Sequence, residues 1–383
     1  MSFDDDDDDD GGGSPKLPHD VVIEILKRLP VRCLLRFRCV CRSWHSTIDD
    51  PHFMAVHSNH SALHASDPYL VALDVANDRV PRVCSMFSNE SLTPPSPWQI
   101  EIPFFTPTND HLFVGSCNGL ICVKDTSLRD GLERTVYLWN IFTRKHKAVP
   151  LPHPGMTHVV RGFCFDAKSN DYHVVRFLHF AGVNYRCFEN NKPQVEIYSL
   201  RTDSWRTLEC EVPLLYHRSR AVSLNGNLHW YALDWKAGVA GSIAWLDIAG
   251  EVFDIMALSE EMLPKDSSLV VAEVAVLNDL LAVFVCRGGP PGNHESHSPC
   301  SVWVMRDYGV PESWTKLYTF EVSGGVSAFD GFTWKGEFLI ENDDVERVSW
   351  NPITGQLSNL PLLRGCDLVS VVESFFSPWI RLG

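Results

Sequence analysis

Gly115-Ser116-Cys117-Asn118-Gly119-Leu120-Ile121-Cys122 decides how this chain reads: an apolar run reverses at Asn118-Gly119 and continues as a second apolar run. Asn and Gly both tolerate the positive φ that a two-residue hairpin demands, so the stretch predicts a pair of antiparallel strands. The same device returns at Ser223-Leu224-Asn225-Gly226-Asn227-Leu228, at Val276-Leu277-Asn278-Asp279-Leu280-Leu281 and at Phe332-Thr333-Trp334-Lys335-Gly336-Glu337-Phe338. A looser pattern joins an alternating apolar strand to a polar turn. It occurs at Val136-Tyr137-Leu138-Trp139-Asn140, Val195-Glu196-Ile197-Tyr198-Ser199, Ile243-Ala244-Trp245-Leu246-Asp247, Val302-Trp303-Val304-Met305 and Val348-Ser349-Trp350-Asn351.

Aligning the looser pattern on Leu73, Trp139, Tyr198, Leu246, Met305 and Trp350 gives intervals of 66, 59, 48, 59 and 45 residues. One tight and one loose hairpin make a four-stranded unit of about 50 residues, the size of a propeller blade. About six such blades fit between residues 65 and 383. The expected fold is therefore mainly β: a small N-terminal α-helical module followed by a large β-propeller-like domain. A blade alone has bare edges and a one-sided core, so the ring should fold as a whole. The first unit is faint around the Pro-rich stretch Thr93 to Pro107. Trp139, Trp205, Trp230, Trp245, Trp303, Trp314, Trp334 and Trp350 fall on or beside the expected strands. Such aromatics suit sugar or peptide binding, but filling the space between blades is the simpler account.

Residues 1–14 contain the run Asp4 to Asp10 and the glycines Gly11 to Gly13. Like charges repel and glycine loses the most entropy on ordering, so a disordered acidic tail is expected there. Residues 15–60 read as helical. Pro18 suits a first turn, and Asp20 and Glu24 suit the positive end of a helix dipole. Val22, Ile25, Leu26 and Leu29 form an amphipathic stripe that Pro30 ends. A second helical run places Leu34, Phe37, Cys41, Trp44 and Ile48 on one face.

The net charge of the 383 residues is −15, and −8 without the aspartate run. A body this acidic argues against nucleic-acid binding. Within residues 15–60, however, Lys16, Lys27, Arg28, Arg32, Arg36, Arg38 and Arg42 outnumber Asp20, Glu24, Asp49 and Asp50, which suits an acidic partner. The start has neither the basic nor the apolar region of a secretory signal. The most apolar stretch, Leu269 to Cys286, is interrupted by Glu273, Asn278 and Asp279 and makes no membrane span. A soluble protein of the cytoplasm and/or nucleus is expected, with its 12 cysteines mostly small buried hydrophobes.

Little in the chain looks catalytic. Gly115-Ser116-Cys117-Asn118-Gly119 matches the nucleophile elbow of an α/β-hydrolase with cysteine at its centre, but that elbow needs a helix after it and here a strand follows. His294, His297 and Cys300, or His57, His60 and His64, have spacings that would suit zinc, yet neither set offers an obvious fourth ligand. Phosphate-cradling glycine motifs are missing, and no metal or other cofactor is expected. A binding protein fits better than an enzyme.

The N-terminal residues add a resemblance. Leu17-Pro18-His19-Asp20-Val21-Val22-Ile23-Glu24-Ile25-Leu26-Lys27-Arg28-Leu29-Pro30, followed by Leu34-Leu35-Arg36-Phe37-Arg38-Cys39-Val40-Cys41-Arg42-Ser43-Trp44, closely resembles an F-box. The remainder looks like the F-box-associated domain of plant F-box proteins. The segments that carry this are Gly115–Cys122, Leu138–Pro152, Gly162–Arg176, Leu224–Trp230, Val302–Leu317 and Val372-Glu373-Ser374. The usual Asn-Pro after the blade tryptophan is Asn140-Ile141 here, while Asn351-Pro352 keeps it. The resemblance implies a non-catalytic substrate receptor of an SCF (Skp–cullin–F-box) ubiquitin ligase. The F-box would dock on a Skp-type adaptor, and through it a cullin scaffold, while the propeller holds a protein substrate. Residue by residue it implicates Leu17, Pro18, Ile25, Leu26, Leu29, Pro30, Leu34, Leu35, Val40, Cys41 and Trp44 in the adaptor interface or its immediate support. Thr93–Pro107, Phe180–Lys192 and Arg287–Pro299 are candidate recognition loops, because propellers bind through rim loops. The competing readings are a propeller scaffold or glycan-binding module whose helices pack only in cis, and, far behind, a hydrolase using Cys117.

Overall fold

The structure, a computed structural model, describes residues 17–50, 52–54, 56–57, 60, 68–74, 83–88, 92, 98–152, 157–179, 194–213, 215, 219–234, 239–263, 270–287, 297–323 and 325–376. The chain divides between residues 66 and 67 into two compact units.

The first unit holds helices α1 (His19–Leu26), α2 (Val31–Phe37) and α3 (Arg42–Ile48), and helical backbone returns at 52–54 and 56–57. Proline sets the first two starts: Pro18 and Pro30 occupy the N-cap positions of α1 and α2. The second helical run expected from the sequence is in fact two helices. Cys41 has extended backbone (φ −156°), and its Sγ accepts from Trp44 N at 3.4 Å, so it caps α3 rather than continuing α2. Glu24 also departs from expectation: it lies in the last half of α1 and bonds Lys27 and, at 2.8 Å, Arg28. Val31, Leu34 and Ile48 are fully buried, and Phe37 packs on Trp44 with ring centres 5.2 Å apart.

The second unit is a ring of six four-stranded antiparallel sheets. The first joins β1 (Tyr69–Asp74), β2 (Val83–Ser88) and β3 (Trp98–Glu101) to the last strand of the chain, β24 (Cys366–Val371). The second comprises β4 (Asn109–Cys117), β5 (Leu120–Ser127), β6 (Glu133–Trp139) and β7 (His146–Pro150). The third comprises β8 (Thr157–Asp166), β9 (Asp171–His179), β10 (Gln194–Ser199) and β11 (Ser204–Leu208). The fourth comprises β12 (Val222–Leu224), β13 (Asn227–Asp234), β14 (Val239–Asp247) and β15 (Val252–Ala257). The fifth comprises β16 (Val270–Leu277), β17 (Leu280–Arg287), β18 (His297–Met305) and β19 (Trp314–Ser323). The sixth comprises β20 (Val326–Phe332), β21 (Phe338–Asn342), β22 (Arg347–Trp350) and β23 (Leu357–Asn359).

Each tight turn read from the sequence joins the first two strands of a sheet. Asn118 and Gly119, Asn225 and Gly226, and Asn278 and Asp279 all have positive φ, as their hairpins require. Leu73 is the exception in the repeat alignment. Trp139, Tyr198, Leu246, Met305 and Trp350 all lie in third strands, but Leu73 lies in the second strand of its sheet, because β24 supplies the first. The third strand there is β2, which explains the long first interval.

Six apolar clusters alternate with the six sheets, and each bridges two neighbours. One unites Val71, Leu73 and Ile100 with Phe113, Ile121 and Trp139; another joins Cys164, Val175 and Ile197 to Leu228, Trp230 and Leu246. The ring closes through Leu70, Ala72, Phe87 and Leu368 of the first sheet against Leu339 of the sixth, with Leu363 between. Trp139, Trp230, Trp303 and Trp350 are buried in these seams. Polar contacts cross the seams too: Glu133 accepts from Val160 N at 2.7 Å, and Trp230 Nε1 donates to the Arg161 carbonyl at 3.0 Å. Arg347 donates to the Cys366 carbonyl at 2.7 Å and pairs with Asp330 and Glu341.

Candidate functional site

Two surfaces deserve separate treatment, one on each unit. On the helical unit, Leu17, Val21 and Ile25 follow one another at intervals of four residues along α1 and its lead-in, and they are 59%, 40% and 48% exposed. Val40, before α3, is 63% exposed, and Pro18, Pro30 and Cys41 are also at the surface. Of the other residues singled out from the sequence, Leu29, Leu35 and Trp44 are half-buried, whereas Leu26 and Leu34 are fully buried. Those last two belong to the packed interior of the helical unit rather than to its surface. Val21 was missed, although its position four residues from both Leu17 and Ile25 placed it on their face.

A small helical unit gains nothing internally from leaving four large aliphatic side chains in water. Covering one of them fully would contribute about 1.5–3 kcal/mol. The surrounding basic residues are less available than their number suggests. Lys27 and Arg28 pair with Glu24, and Arg38 pairs with Asp49 at 2.5 Å. Arg36 and Arg42 are exposed.

The propeller offers two rims. The Asn-Gly turns lie on one, together with the start of β1 and the end of β24. The polypeptide after β24 straps this rim. Ser374 sits against Gly119 so closely that a Cβ there would come within 2.1 Å of it. Asn140 Nδ2 donates to the carbonyls of Ser374 and Phe376, both at 2.8 Å, and the Phe376 ring lies 4.7 Å from that of Tyr172. The strap thus covers sheets two and three, while Trp334 and Ile353 of sheet six are left 50% and 89% exposed.

At the opposite rim lie the end of β9 and the start of β10, and the end of β17 and the start of β18, hence the flanks of two of the three candidate recognition loops. Residues 180–192 and 288–296 lie outside the described residues, as do 93–97. The third candidate is not a single loop: Trp98–Glu101 within it is β3, paired with Val83 to Met86. Likewise His297–Pro299 is already strand β18.

At the centre of the ring Arg220, just before β12, donates to Asp367 Oδ1 at 2.5 Å and to the Leu368 carbonyl at 3.1 Å. Asp367 belongs to the first sheet and Arg220 to the fourth, opposite members of a six-membered ring, so this guanidinium spans the channel. The second oxygen of Asp367 accepts from Phe113 N at 2.6 Å. The Arg220 side chain is half-exposed; partial loss of water works against its charge, but the carboxylates of Asp367, Asp330 and Glu273 outweigh this and raise its pKa.

Cys117 ends β4 and is followed at once by β5, and burial pushes its thiol up to about 11, away from nucleophilic reactivity. Among the described residues no group of His, Cys, Asp and Glu is placed to hold a metal ion. His64 and His294 lie outside those residues, and His57 is committed to the Leu29 carbonyl at 3.0 Å. Among the described residues no helix is long and apolar enough to cross a membrane.

With this geometry in view, comparison with known proteins gives the class. Residues 14–55 match the F-box domain, and residues 75–358 match the F-box associated beta propeller domain. The chain belongs to the F-box associated β-propeller family. Among its relatives are Arabidopsis thaliana proteins. The F-box protein CPR1 is 27% identical over 82% of this chain and 75% of its own length. F-box protein At3g07870 is 25% identical over 90% of this chain and 87% of its own, and F-box/kelch-repeat protein At3g23880 is 25% identical over 85% and 84%.

Proposed function

We propose that this protein is the substrate-recognition subunit of an SCF ubiquitin ligase. The observation that carries the reading is the exposed aliphatic patch of Leu17, Val21, Ile25 and Val40 within the F-box match, joined in one chain to a closed propeller. In this reading the patch docks on a Skp-type adaptor, which connects to the cullin scaffold, and the propeller binds the target protein. The receptor itself does no bond chemistry. It raises the effective concentration of substrate lysines near a conjugating enzyme supplied by the rest of the complex. The unstrapped rim, where the β9–β10 and β17–β18 connections lie, is the surface we assign to the target.

The test is co-purification with a Skp-type adaptor. The double substitution Leu17→Ala plus Pro18→Ala, and separately Ile25→Asp, should abolish capture while circular dichroism and melting stay close to those of the parent. Leu26→Ala should instead lower the melting temperature of the helical unit. Retention of adaptor by a folded Ile25→Asp variant would sink the interface assignment.

A further inference from the structure

The β17–β18 hairpin carries two cysteines that the proposed function does not use. Cys286 and Cys300 are direct cross-strand partners. Their sulfurs lie 2.6 Å apart, closer than two sulfurs in ordinary contact, and among the described cysteines they are the two whose sulfurs meet. Both are buried, in the apolar seam between the fifth and sixth sheets among Val302, Phe320 and Val322. Directly opposed strand positions place Cβ atoms about 4.5–5.5 Å apart, and a disulfide needs roughly 3.5–4.5 Å, so a small local adjustment suffices.

We propose that Cys286 and Cys300 are an oxidation site, which hydrogen peroxide converts from two thiols to one cross-strand disulfide. In the first step the sulfur of one cysteine attacks peroxide: an S–O bond forms, the O–O bond breaks, and a sulfenic acid and one water result. In the second step the facing sulfur attacks the sulfenic sulfur: the S–S bond forms, the S–O bond breaks and a second water leaves. The pair loses two electrons and two hydrogens, and peroxide accepts both. The facing thiol already touches its target, so the sulfenic acid is trapped before it oxidises further. The reaction is slow in the resting fold, because both sulfurs are covered and the Cys300 thiol is pushed up by its Cys286 contact and by burial. Oxidant access requires the β17–β18 pairing to open transiently, beside exposed Arg287.

The product would close the chain from 286 to 300 at the base of a rim connection, restricting the segment that the proposed function places beside the target. That consequence rests on the functional reading; the cross-link does not, and its test is independent of any partner.

The full chain, purified with reductant and then freed of it, is treated with millimolar hydrogen peroxide, alkylated and digested for mass spectrometry. The expected result is a peptide linking Cys286 to Cys300, two hydrogens lighter than its parts and lost on reduction, with a melting temperature above that of the reduced protein. Cys300→Ser should give no such peptide, and Cys286 should then carry sulfenic or sulfinic acid. If that variant does not fold, Cys286→Ala serves the same purpose. Recovery of both cysteines alkylated or over-oxidised, at doses that oxidise exposed Cys39 and Cys41, would overturn the proposal.

Discussion

Asn140 and Asn351 show how one residue type serves one turn in different surroundings. In both, the side-chain oxygen accepts from the backbone N–H groups two and three residues on, closing the turn between third and fourth strands. That is why Ile141 can stand where Pro352 stands: the asparagine makes the turn, and proline only presets φ. Asn140 additionally anchors the C-terminal strap through Nδ2, whereas Asn351 Nδ2 reaches only Glu337 at 2.8 Å. Asn140→Ala should therefore cost about 1–2 kcal/mol more than Asn351→Ala in urea unfolding. His229 supports a second prediction. Its Nδ1 donates to the Val222 carbonyl at 3.3 Å, so Nε2 accepts the Tyr308 hydroxyl hydrogen at 2.8 Å. Burial pushes its pKa down to about 4, and burial likewise lowers those of His111 and His173. The unfolded chain therefore binds protons that the folded one refuses. Stability should fall as pH drops from about 6.5 towards 4, with His229 alone accounting for roughly 3 kcal/mol. Denaturant titrations at pH 7.5 and 5.0 measure this, and His229→Gln should flatten the difference.

The elements differ in how far the chain announced them. Asn118-Gly119 and Asn225-Gly226 were legible because few other residue pairs accept positive φ at both positions. The helix break at Cys41 was not, since cysteine is an unusual cap and the apolar spacing ran on across it. Nor did the stripe Val22, Ile25, Leu26, Leu29 separate core from surface: on an eight-residue helix Leu26 faces inward while Ile25 is left outside. What each turn packs against was equally hidden. Gly119 and Gly226 have nearly the same φ, +81° and +76°, but only Gly119 is covered, by Ser374 and the Val372 carbonyl. Both alanine substitutions strain the backbone, by about 1 kcal/mol. Gly119→Ala must also displace the strap, so it should lose more stability and expose residues 372–376 to protease, with Gly226→Ala as the control.

At the scale of the whole molecule, the blade count was readable from turn spacing, but closure was not. Nothing local in Cys366–Val371 says that it pairs with Tyr69–Asp74, at the other end of the propeller sequence. The faint first unit and the misplaced Leu73 are two symptoms of that one long-range pairing. The closing strand also holds Asp367, on which both Arg220 and Phe113 N depend. Removing residues 366–383 should therefore abolish the single cooperative melting transition rather than merely lower it, as calorimetry would show. Asp367→Asn, which keeps the shape but weakens the cross-channel ion pair, should leave the ring closed and lower its melting point. The position of β24 has a consequence for biosynthesis. The four seams between sheets two and six can form while the chain is still being made, yet both seams of the first sheet, and the bare edge of β1, must wait for β24 to leave the ribosome. A chain that stops just before Cys366 thus leaves the edge of β1 bare and the ring open, a client for quality control rather than a merely weakened propeller.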